Sequence, residues 1–347
     1  MDEASEAAAV RIVSGIQPSG WLHLGNYYGA LRQFIQLQNE GEALYFIANL
    51  HALTTVRNAA ALREHTFEAA LAYLSLGADP QKAILFRQSD VPEIVELYCI
   101  LGSLVPLSHL ERAHSYKDKT ARGLQPDLGL FTYPVLMAAD ILAFGADLVP
   151  VGSDQIQHIE FARDWATRFN VAYVNGYNPQ DSQAHQPGSV RGILKLPQAR
   201  VQEQTALVPG VDGRKMSKSY GNSIEIFAED ELVRRQIMSI RTDSAPIDAP
   251  KPLDAPLYPL LRLMSPPDEF SQIDASWRSG GEGYAAYKKK LIDFFHMTLD
   301  PARKRRTQLL ADSDAVEQIL RKGAQRAREI AIPILNRVRR AAGLPEK

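Results

Sequence analysis

Apolar residues follow two alternating patterns along the first half of the chain. Short apolar runs, which are typical of buried strands, are followed by stretches in which apolar residues recur every three or four positions, as in helices. The predicted strands are residues 10–16, 43–48, 83–86 and 148–151, and the predicted helices are residues 24–38, 62–76, 92–104, 133–144 and 153–169. This alternation predicts an α/β fold with a doubly wound parallel sheet.

The pattern changes in the second half of the chain. Residues 175–209 are rich in Gln, Gly and Pro and show little periodicity, which predicts irregular connections or a β-hairpin. After Ser223, helical periodicity returns between Pro-rich breaks at residues 246–256 and 266–267. The predicted helices there are residues 229–240, 257–264, 284–298 and 301–342. A smaller all-helical region is therefore expected after the α/β half.

Composition and charge are those of an ordinary globular protein. Apolar residues make up 45% of the 347 residues, charged residues make up 23%, and the formal net charge is -1. These values exclude a disordered chain and a uniformly basic nucleic-acid-binding protein. Residues 284–347 differ, with 15 Lys or Arg against 7 Asp or Glu. This basic end is either a solvated helical surface or a surface that binds anions.

Cysteine usage and the N-terminal sequence indicate the compartment. The single cysteine, Cys99, cannot form a disulfide within the chain and cannot alone build a zinc or iron–sulfur site. Residues 1–9 contain three acidic residues and no Lys or Arg, unlike a secretory signal. No apolar run approaches the ~20 residues that cross a bilayer. We therefore expect a cytoplasmic protein with no membrane partner and no bound structural metal.

The first candidate site joins the first predicted strand to the first helix. Residues 15–26 read Gly-Ile-Gln-Pro-Ser-Gly-Trp-Leu-His-Leu-Gly-Asn. In a doubly wound sheet, ligands bind beyond the carboxyl ends of the strands, where a helix N-terminus offers N–H groups to a phosphate. Gly20 and Gly25 allow the backbone to approach a ligand closely, and His23 can donate hydrogen bonds to phosphoryl oxygens. The alternative is that His23 serves only as a helix cap or a structural residue.

The second candidate site is a lysine-containing loop at residues 212–222. Lys215 and Lys218 stand there among small, hydroxylated and Gly residues. Two such lysines can neutralise a polyphosphate as charge moves to a leaving group, and the alternative is a solvent-exposed basic loop. The signatures of P-loop proteins, zinc proteases and α/β-hydrolases do not occur in the sequence. The order of the two clusters and their separation therefore favour a phosphate chemistry outside these three protein classes.

Asp140 is a third candidate, because it lies in an otherwise uncharged and mostly apolar helix. An ionised carboxylate is costly in such a place unless it finds a hydrogen-bond donor. A ligand N–H would be such a donor. The alternative is that the carboxylate pairs with an Arg or a backbone amide elsewhere in the fold.

Several strings of residues carry a resemblance to a known family. Residues 215–219 read Lys-Met-Ser-Lys-Ser, and residues 23–26 read His-Leu-Gly-Asn. The longer strings are SGIQPSG, GNYYGALRQ, FTYPVLMAADIL and VPVGSDQIQH. Together they resemble class I aminoacyl-tRNA synthetases, and bacterial tryptophanyl-tRNA synthetases in particular. The first signature departs from the usual class I pattern at Asn26, whereas the second is identical to it.

The resemblance implies which residues bind each substrate. His23, Lys215 and Lys218 would be catalytic, acting on the phosphates. Tryptophan would be bound by Gln17, Tyr133, Met137, Asp140 and Gln155, with Asp140 accepting the indole N–H. ATP would be bound by residues that follow the first and fourth predicted strands, by residues of the two signatures and by Leu207. They are Gln17, Pro18, Ser19, Gly25, Asn26, Gly152, Ser153, Asp154, Leu207, Lys215, Met216, Ser217, Lys218 and Ser219.

The resemblance also implies an activity and a domain organisation. The chain would activate L-tryptophan with ATP and Mg²⁺ to tryptophanyl-adenylate and transfer it to tRNA(Trp), and it would be a homodimer. Residues 1–223 would form a Rossmann-like catalytic domain, rejoined by the C-terminal helix at about residues 320–347. Residues 224–319 would form the helical tRNA anticodon-binding domain.

Three other functions account for parts of the sequence less well. A tyrosyl-tRNA synthetase is a near relative, but the quoted strings resemble tryptophanyl enzymes more closely. A non-catalytic paralogue that senses tryptophan or ATP, or that scaffolds a partner, would not need Lys215 and Lys218. A nicotinamide-dependent oxidoreductase shares the sheet but requires a glycine triplet after the first strand, which this sequence lacks.

Overall fold

The computed structural model describes residues 9–18, 20–113, 127–183, 189–201 and 208–346. Its centre is a five-stranded sheet in the order β3-β2-β1-β4-β5, with every neighbouring pair of strands parallel. The strands are β1 (Arg11–Ile16), β2 (Glu42–Ile47), β3 (Ala83–Arg87), β4 (Leu148–Val151) and β5 (Gln198–Val201). The predicted doubly wound parallel sheet is confirmed. The strand order reverses between β1 and β4, which is where such sheets bind ligands.

Residues 175–209 are irregular over much of their described length, as predicted, but they also contain a short helix, Pro179–Gln183, and strand β5. In place of a β-hairpin, part of this segment adds a parallel strand to β4, with Leu148 opposite Gln198. None of the four β5 side chains is buried. The strand therefore lacks the apolar run by which the other strands of this sheet are recognised in the sequence.

The helices of the first half pack on both faces of the sheet. The predicted helix 24–38 is divided by a π-helical turn, Tyr27–Leu31, and ends in a 3-10 turn. The helices are α1 (Leu24–Asn26), α2 (Arg32–Gln36), α3 (Asn49–Ala52), α4 (Ala59–Ser75), α5 (Pro92–Gly102), α6 (Leu107–Glu111), α7 (Leu128–Leu142), α8 (Ile156–Tyr173) and α9 (Pro179–Gln183). Within the described residues, no helix is long and apolar enough to cross a membrane.

The second half is helical, as predicted, but two boundaries differ. Its helices are α10 (Asp230–Met238), α11 (Leu257–Met264), α12 (Pro267–Ser279), α13 (Tyr284–Ala311) and α14 (Ser313–Ala341). The sequence pattern does not predict helix α12, because Pro266 and Pro267 are typical of a break. In the structure Pro267 is the first residue of the helix, where no backbone N–H is needed for hydrogen bonding. The break predicted near Pro301 lies instead at Asp312, whose Oδ1 accepts a hydrogen bond from the Ala315 N–H (3.0 Å).

Helix α14 packs against the edge strand β3. Its first turns join the core on one face of the sheet, through Val316 and Leu320, and its later turns join the core on the other face. A Cβ on Gly323 would lie 1.8 Å from the carbonyl oxygen of Leu85 in β3, so the helix and the strand touch backbone to backbone. The end of the chain thus covers an edge of the sheet that would otherwise be open.

A third apolar cluster joins the two halves of the molecule. It contains Leu24 and Tyr28 near the first signature, Met216 of the second, and residues of helices α10 to α13 such as Val233 and Leu291. The division into residues 1–223 and 224–319 stays a prediction.

Candidate active site

A cavity of about 420 Å³ opens at the carboxyl ends of β1 and β4. All five residues predicted to bind tryptophan line it, namely Gln17, Tyr133, Met137, Asp140 and Gln155, and so does Gly152. Gln17 follows β1, while Tyr133, Met137 and Asp140 lie on α7. The fold thus brings residues up to 138 positions apart in the sequence to a single concave, mostly apolar site, as expected for a small-molecule pocket.

Asp140 is fully buried beside this cavity and has two hydrogen-bond partners. Gln88 Nε2 donates to Oδ1 (2.7 Å), and His51 Nε2 lies 2.8 Å from Oδ2. Burial raises the pKa of the Asp140 carboxyl above its usual range, and the hydrogen bond from His51 acts in the opposite direction. The partners are neither of the two considered from the sequence, an Arg or a backbone amide.

His51 and Gln88 were not identified from the sequence, although a signal was present. His51 follows β2 by four residues, and Gln88 follows β3 directly. Polar residues immediately beyond the carboxyl ends of parallel strands face the ligand-binding edge of the sheet. Their position relative to the predicted strands could therefore have marked them as site residues.

Tyr133 connects the cavity to helix α8. Its hydroxyl lies 2.5 Å from Nε2 of His158, and its ring stands edge-on to that of His51, with 6.3 Å between the centroids. These contacts fix the orientation of an aromatic wall of the cavity.

His23 caps helix α1, as the structural alternative anticipated. Its Nδ1 accepts a hydrogen bond from the Asn26 N–H (3.2 Å), and the Asn26 side chain accepts one from the His23 N–H (3.2 Å). Because Nδ1 is an acceptor, a neutral His23 carries its proton on Nε2, which makes Nε2 a donor. Burial, and then the charge of Lys218, lowers the pKa of His23 to about 4, so the ring is neutral at pH 7.

The two signatures are in direct contact. Sδ of Met216 accepts a hydrogen bond from the Gly25 N–H (3.3 Å), and a Cβ on Gly25 would lie 3.2 Å from Cβ of Met216. A second cavity, of about 370 Å³, is lined by His23, Trp21 and Lys218, among others. The structure therefore brings His23 and Lys218 together, whereas Lys215 does not line this cavity.

Asn222 organises the lysine loop. Its Oδ1 accepts from the Ser217 N–H (2.8 Å), and its Nδ2 donates to Asp212 (2.7 Å) and to the carbonyl of Lys215 (3.2 Å). Both lysines are exposed, whereas Met216 is buried. The loop is thus an exposed basic segment, as the alternative supposed, but its backbone is held by a defined set of hydrogen bonds.

The other described residues predicted to bind ATP lie at the ends of β1 and β4 and in the lysine loop. Pro18 is buried after β1, and Ser153–Gln155 form a 3-10 turn after β4. Ser217 and Ser219 are joined by a hydrogen bond between their hydroxyls (2.9 Å). Ser19 and Leu207 lie outside the described residues. Within the described residues, no group of three or more His, Cys, Asp or Glu is arranged to hold a metal ion.

The family model for tRNA synthetases class I (W and Y) matches residues 5–308. The chain belongs to this family. A tryptophan–tRNA ligase from Rhodopirellula baltica is 48% identical over 336 residues, which span 96% of this chain and 100% of that protein. The tryptophanyl-tRNA synthetase of Campylobacter jejuni, solved with ADP and tryptophan, is 42% identical, with a TM-score of 0.87 over 96% of this chain and 100% of that one. The resemblance to class I synthetases, and to bacterial tryptophanyl-tRNA synthetases in particular, is thereby confirmed.

A tyrosyl-tRNA synthetase from Archaeoglobus fulgidus has the same fold, with a TM-score of 0.61 over 86% of this chain and 90% of that one. Its sequence identity is 20%, so this likeness concerns the fold alone. As a class I synthetase, the chain is an enzyme with a Rossmann-like sheet, and the assignment of single residues to ATP or tryptophan stays a prediction.

Proposed function

We propose that the chain is a tryptophan–tRNA ligase of the cytoplasm. It activates L-tryptophan with ATP to give tryptophanyl-adenylate and pyrophosphate, and it then transfers the tryptophanyl group to tRNA(Trp), releasing AMP. The observation that carries this proposal is the position of Asp140, buried at the cavity that Gln17, Tyr133, Met137 and Gln155 also line. The identity to tryptophan–tRNA ligases over nearly the whole chain supports it.

In the first step, an oxygen of the tryptophan carboxylate attacks the α-phosphorus of ATP, and the bond to the bridging oxygen of pyrophosphate breaks. The attacking carboxylate carries no proton, so the enzyme needs no general base. Positioning and charge stabilisation supply the catalysis. Neutral His23 donates from Nε2 to a phosphoryl oxygen, and Lys215 and Lys218 stabilise the departing pyrophosphate. Mg²⁺ enters as part of the MgATP substrate.

The amino-acid pocket selects tryptophan through Asp140. A carboxylate whose partners in the protein are donors has remaining lone pairs that accept the indole N–H. Phenylalanine lacks such a donor, and a site built to accept a hydrogen bond rejects ligands without one by large factors. The apolar walls, which include Phe34, Phe46 and Ile141, suit the rest of the indole ring.

We propose that tRNA binds to the basic end of the chain and that the enzyme is a homodimer. Helices α13 and α14 carry most of the 15 basic residues counted there, and Lys289, Lys304, Lys322 and Arg337 are exposed. Such side chains contact phosphates and supply affinity rather than sequence choice. The helices of residues 224–319 are the proposed anticodon-binding region.

The test of this proposal is pyrophosphate exchange into ATP, measured separately with tryptophan, tyrosine and phenylalanine. Exchange with tryptophan alone, followed by charging of tRNA(Trp), is the expected result. Exchange with tyrosine would refute the pocket assignment. Binding of tryptophan without exchange would favour a sensor or scaffold.

A further inference from the structure

Asp140 is enclosed by two side chains that belong to neither signature. Gln88 is fully buried and donates to one carboxylate oxygen, and His51, which is 7% exposed, contacts the other. We propose that Gln88 and His51 are positioning residues that hold Asp140 as a hydrogen-bond acceptor, and that they thereby determine selection of a side chain bearing an indole N–H. This inference rests on the proposed function of the cavity.

The orientation of the Gln88 amide is determined by its surroundings. Its Oε1 accepts hydrogen bonds from the backbone N–H groups of Leu50 (3.0 Å) and His51 (3.4 Å) at the start of α3. The N-cap residue of α3, Ala48, has no side chain that could serve these groups. A flipped amide would leave them unpaired and would turn Oε1 towards the carboxylate, so Nε2 must face Asp140.

In the proposed arrangement Asp140 is ionised, and the proton between Asp140 and His51 belongs to His51. An ionised carboxylate only accepts hydrogen bonds, so His51 Nε2 is the donor to Oδ2. With Gln88 donating to Oδ1, each oxygen receives one donor from the protein and keeps one lone pair for a ligand. A protonated Asp140 would instead donate from one oxygen and would accept an indole N–H more weakly.

At the described part of the cavity, hydrogen-bond donors rather than a Lys or Arg side chain stabilise the Asp140 carboxylate. Among the described residues that line the cavity there is no Lys or Arg. Burial favours protonation of an isolated carboxyl, and the donors from His51 and Gln88 oppose it. Removing either donor should therefore weaken the acceptor itself and not only the packing around it.

The experiment compares tryptophan with benzothienylalanine, an analogue in which sulfur replaces the indole N–H. The ratio of their kcat/KM values in pyrophosphate exchange is measured for the wild type and for Gln88→Met and His51→Leu. Both substrates are assayed on the same enzyme preparation, so any loss of folded protein cancels in the ratio. Losing a hydrogen bond to a charged group should reduce the preference for tryptophan by about ten- to a hundredfold.

Ser89→Ala is the matched control. Ser89 follows Gln88 in the same turn, and its hydroxyl accepts a hydrogen bond from Asn49 at the start of α3 (2.8 Å), but it does not contact Asp140. Its ratio should stay within about twofold of the wild-type value. An unchanged ratio in Gln88→Met or in His51→Leu would refute the role of that residue, and an equal fall in Ser89→Ala would overturn the whole inference.

The wild type distinguishes this inference from the proposal beneath it. Absence of tryptophan-dependent exchange in the wild type would refute the proposed function. A wild type that uses both substrates equally well would refute the role of Asp140, whereas a clear wild-type preference that survives both substitutions would refute only the role of Gln88 and His51.

Discussion

Replacing Gly323 with Ala should destabilise the protein, although Gly323 lies in a long helix, where Ala normally stabilises more than Gly. Ala is favoured over Gly in a helix by about 1 kcal/mol. Against this, the new Cβ would lie 1.8 Å from the carbonyl oxygen of Leu85 and 2.7 Å from its carbonyl carbon. Both atoms belong to the backbone of β3, so no side-chain rotation relieves the overlap.

The overlap outweighs the gain in helix propensity. Overpacking of a core costs typically about 1–3 kcal/mol, and a clash with a buried strand belongs at the upper end of that range. Subtracting the propensity gain leaves a net loss of about 2 kcal/mol in the free energy of unfolding. Because β3 leads directly into Gln88, we also expect a lower kcat/KM for tryptophan.

Urea unfolding followed by circular dichroism measures this loss. Gly102→Ala is the control, since Gly102 is also a helical residue but a Cβ there would meet nothing within 4 Å. We expect that variant to be as stable as the wild type or slightly more stable. If Gly323→Ala were as stable as Gly102→Ala, the result would refute a close backbone contact between α14 and β3.

Three further predictions concern the active site. Lys218→Ala should slow adenylate formation in pyrophosphate exchange far more than it weakens tryptophan binding, and unchanged exchange would remove Lys218 from the mechanism. Asp140→Asn should weaken tryptophan binding about tenfold or more while ATP binding, measured by calorimetry, is retained; equal losses of both would indicate misfolding. The pKa of His23 in the folded protein, about 4, lies below its value in the unfolded chain. As pH falls from about 6.5 towards 4, only the unfolded state takes up a proton, so the free energy of unfolding falls by up to about 3 kcal/mol. His23→Asn should show a smaller loss of unfolding free energy between pH 7 and pH 5, and an unchanged pH dependence would contradict the lowered pKa.

Strands β1 to β4 could be predicted because they are short, buried apolar runs, and most helices because their apolar residues recur every three or four positions. Strand β5 could not, because it is an edge strand without buried side chains and its existence depends on backbone pairing with β4. The wrong predictions of helix breaks at Pro267 and Pro301 have a related cause. Pro267 begins a helix and Pro301 lies within one, and the residue type alone does not distinguish these positions from a break.

The candidate site was predicted in part for a different reason. The strings shared with class I synthetases include Gln17, Tyr133 and Asp140, so these residues came with the resemblance. Gln88 and His51 contact Asp140 across 52 and 89 positions of the sequence, and no local spacing reports a contact of that length. The available signal is their position just beyond the predicted strands β2 and β3, whose carboxyl ends a parallel sheet brings to the same edge.

The packing of α14 on β3 also bears on how the chain folds during its synthesis. Leu85 and Gly323 are separated by 238 residues. At about 5–20 residues per second, a ribosome needs roughly 12–48 s to make the helix after it has made the strand. During that interval the backbone edge of β3 and the apolar residues beneath α14 have no native cover. We expect chaperones to bind a nascent chain in this state. A stop codon before residue 313 should yield a product that aggregates rather than a shortened enzyme.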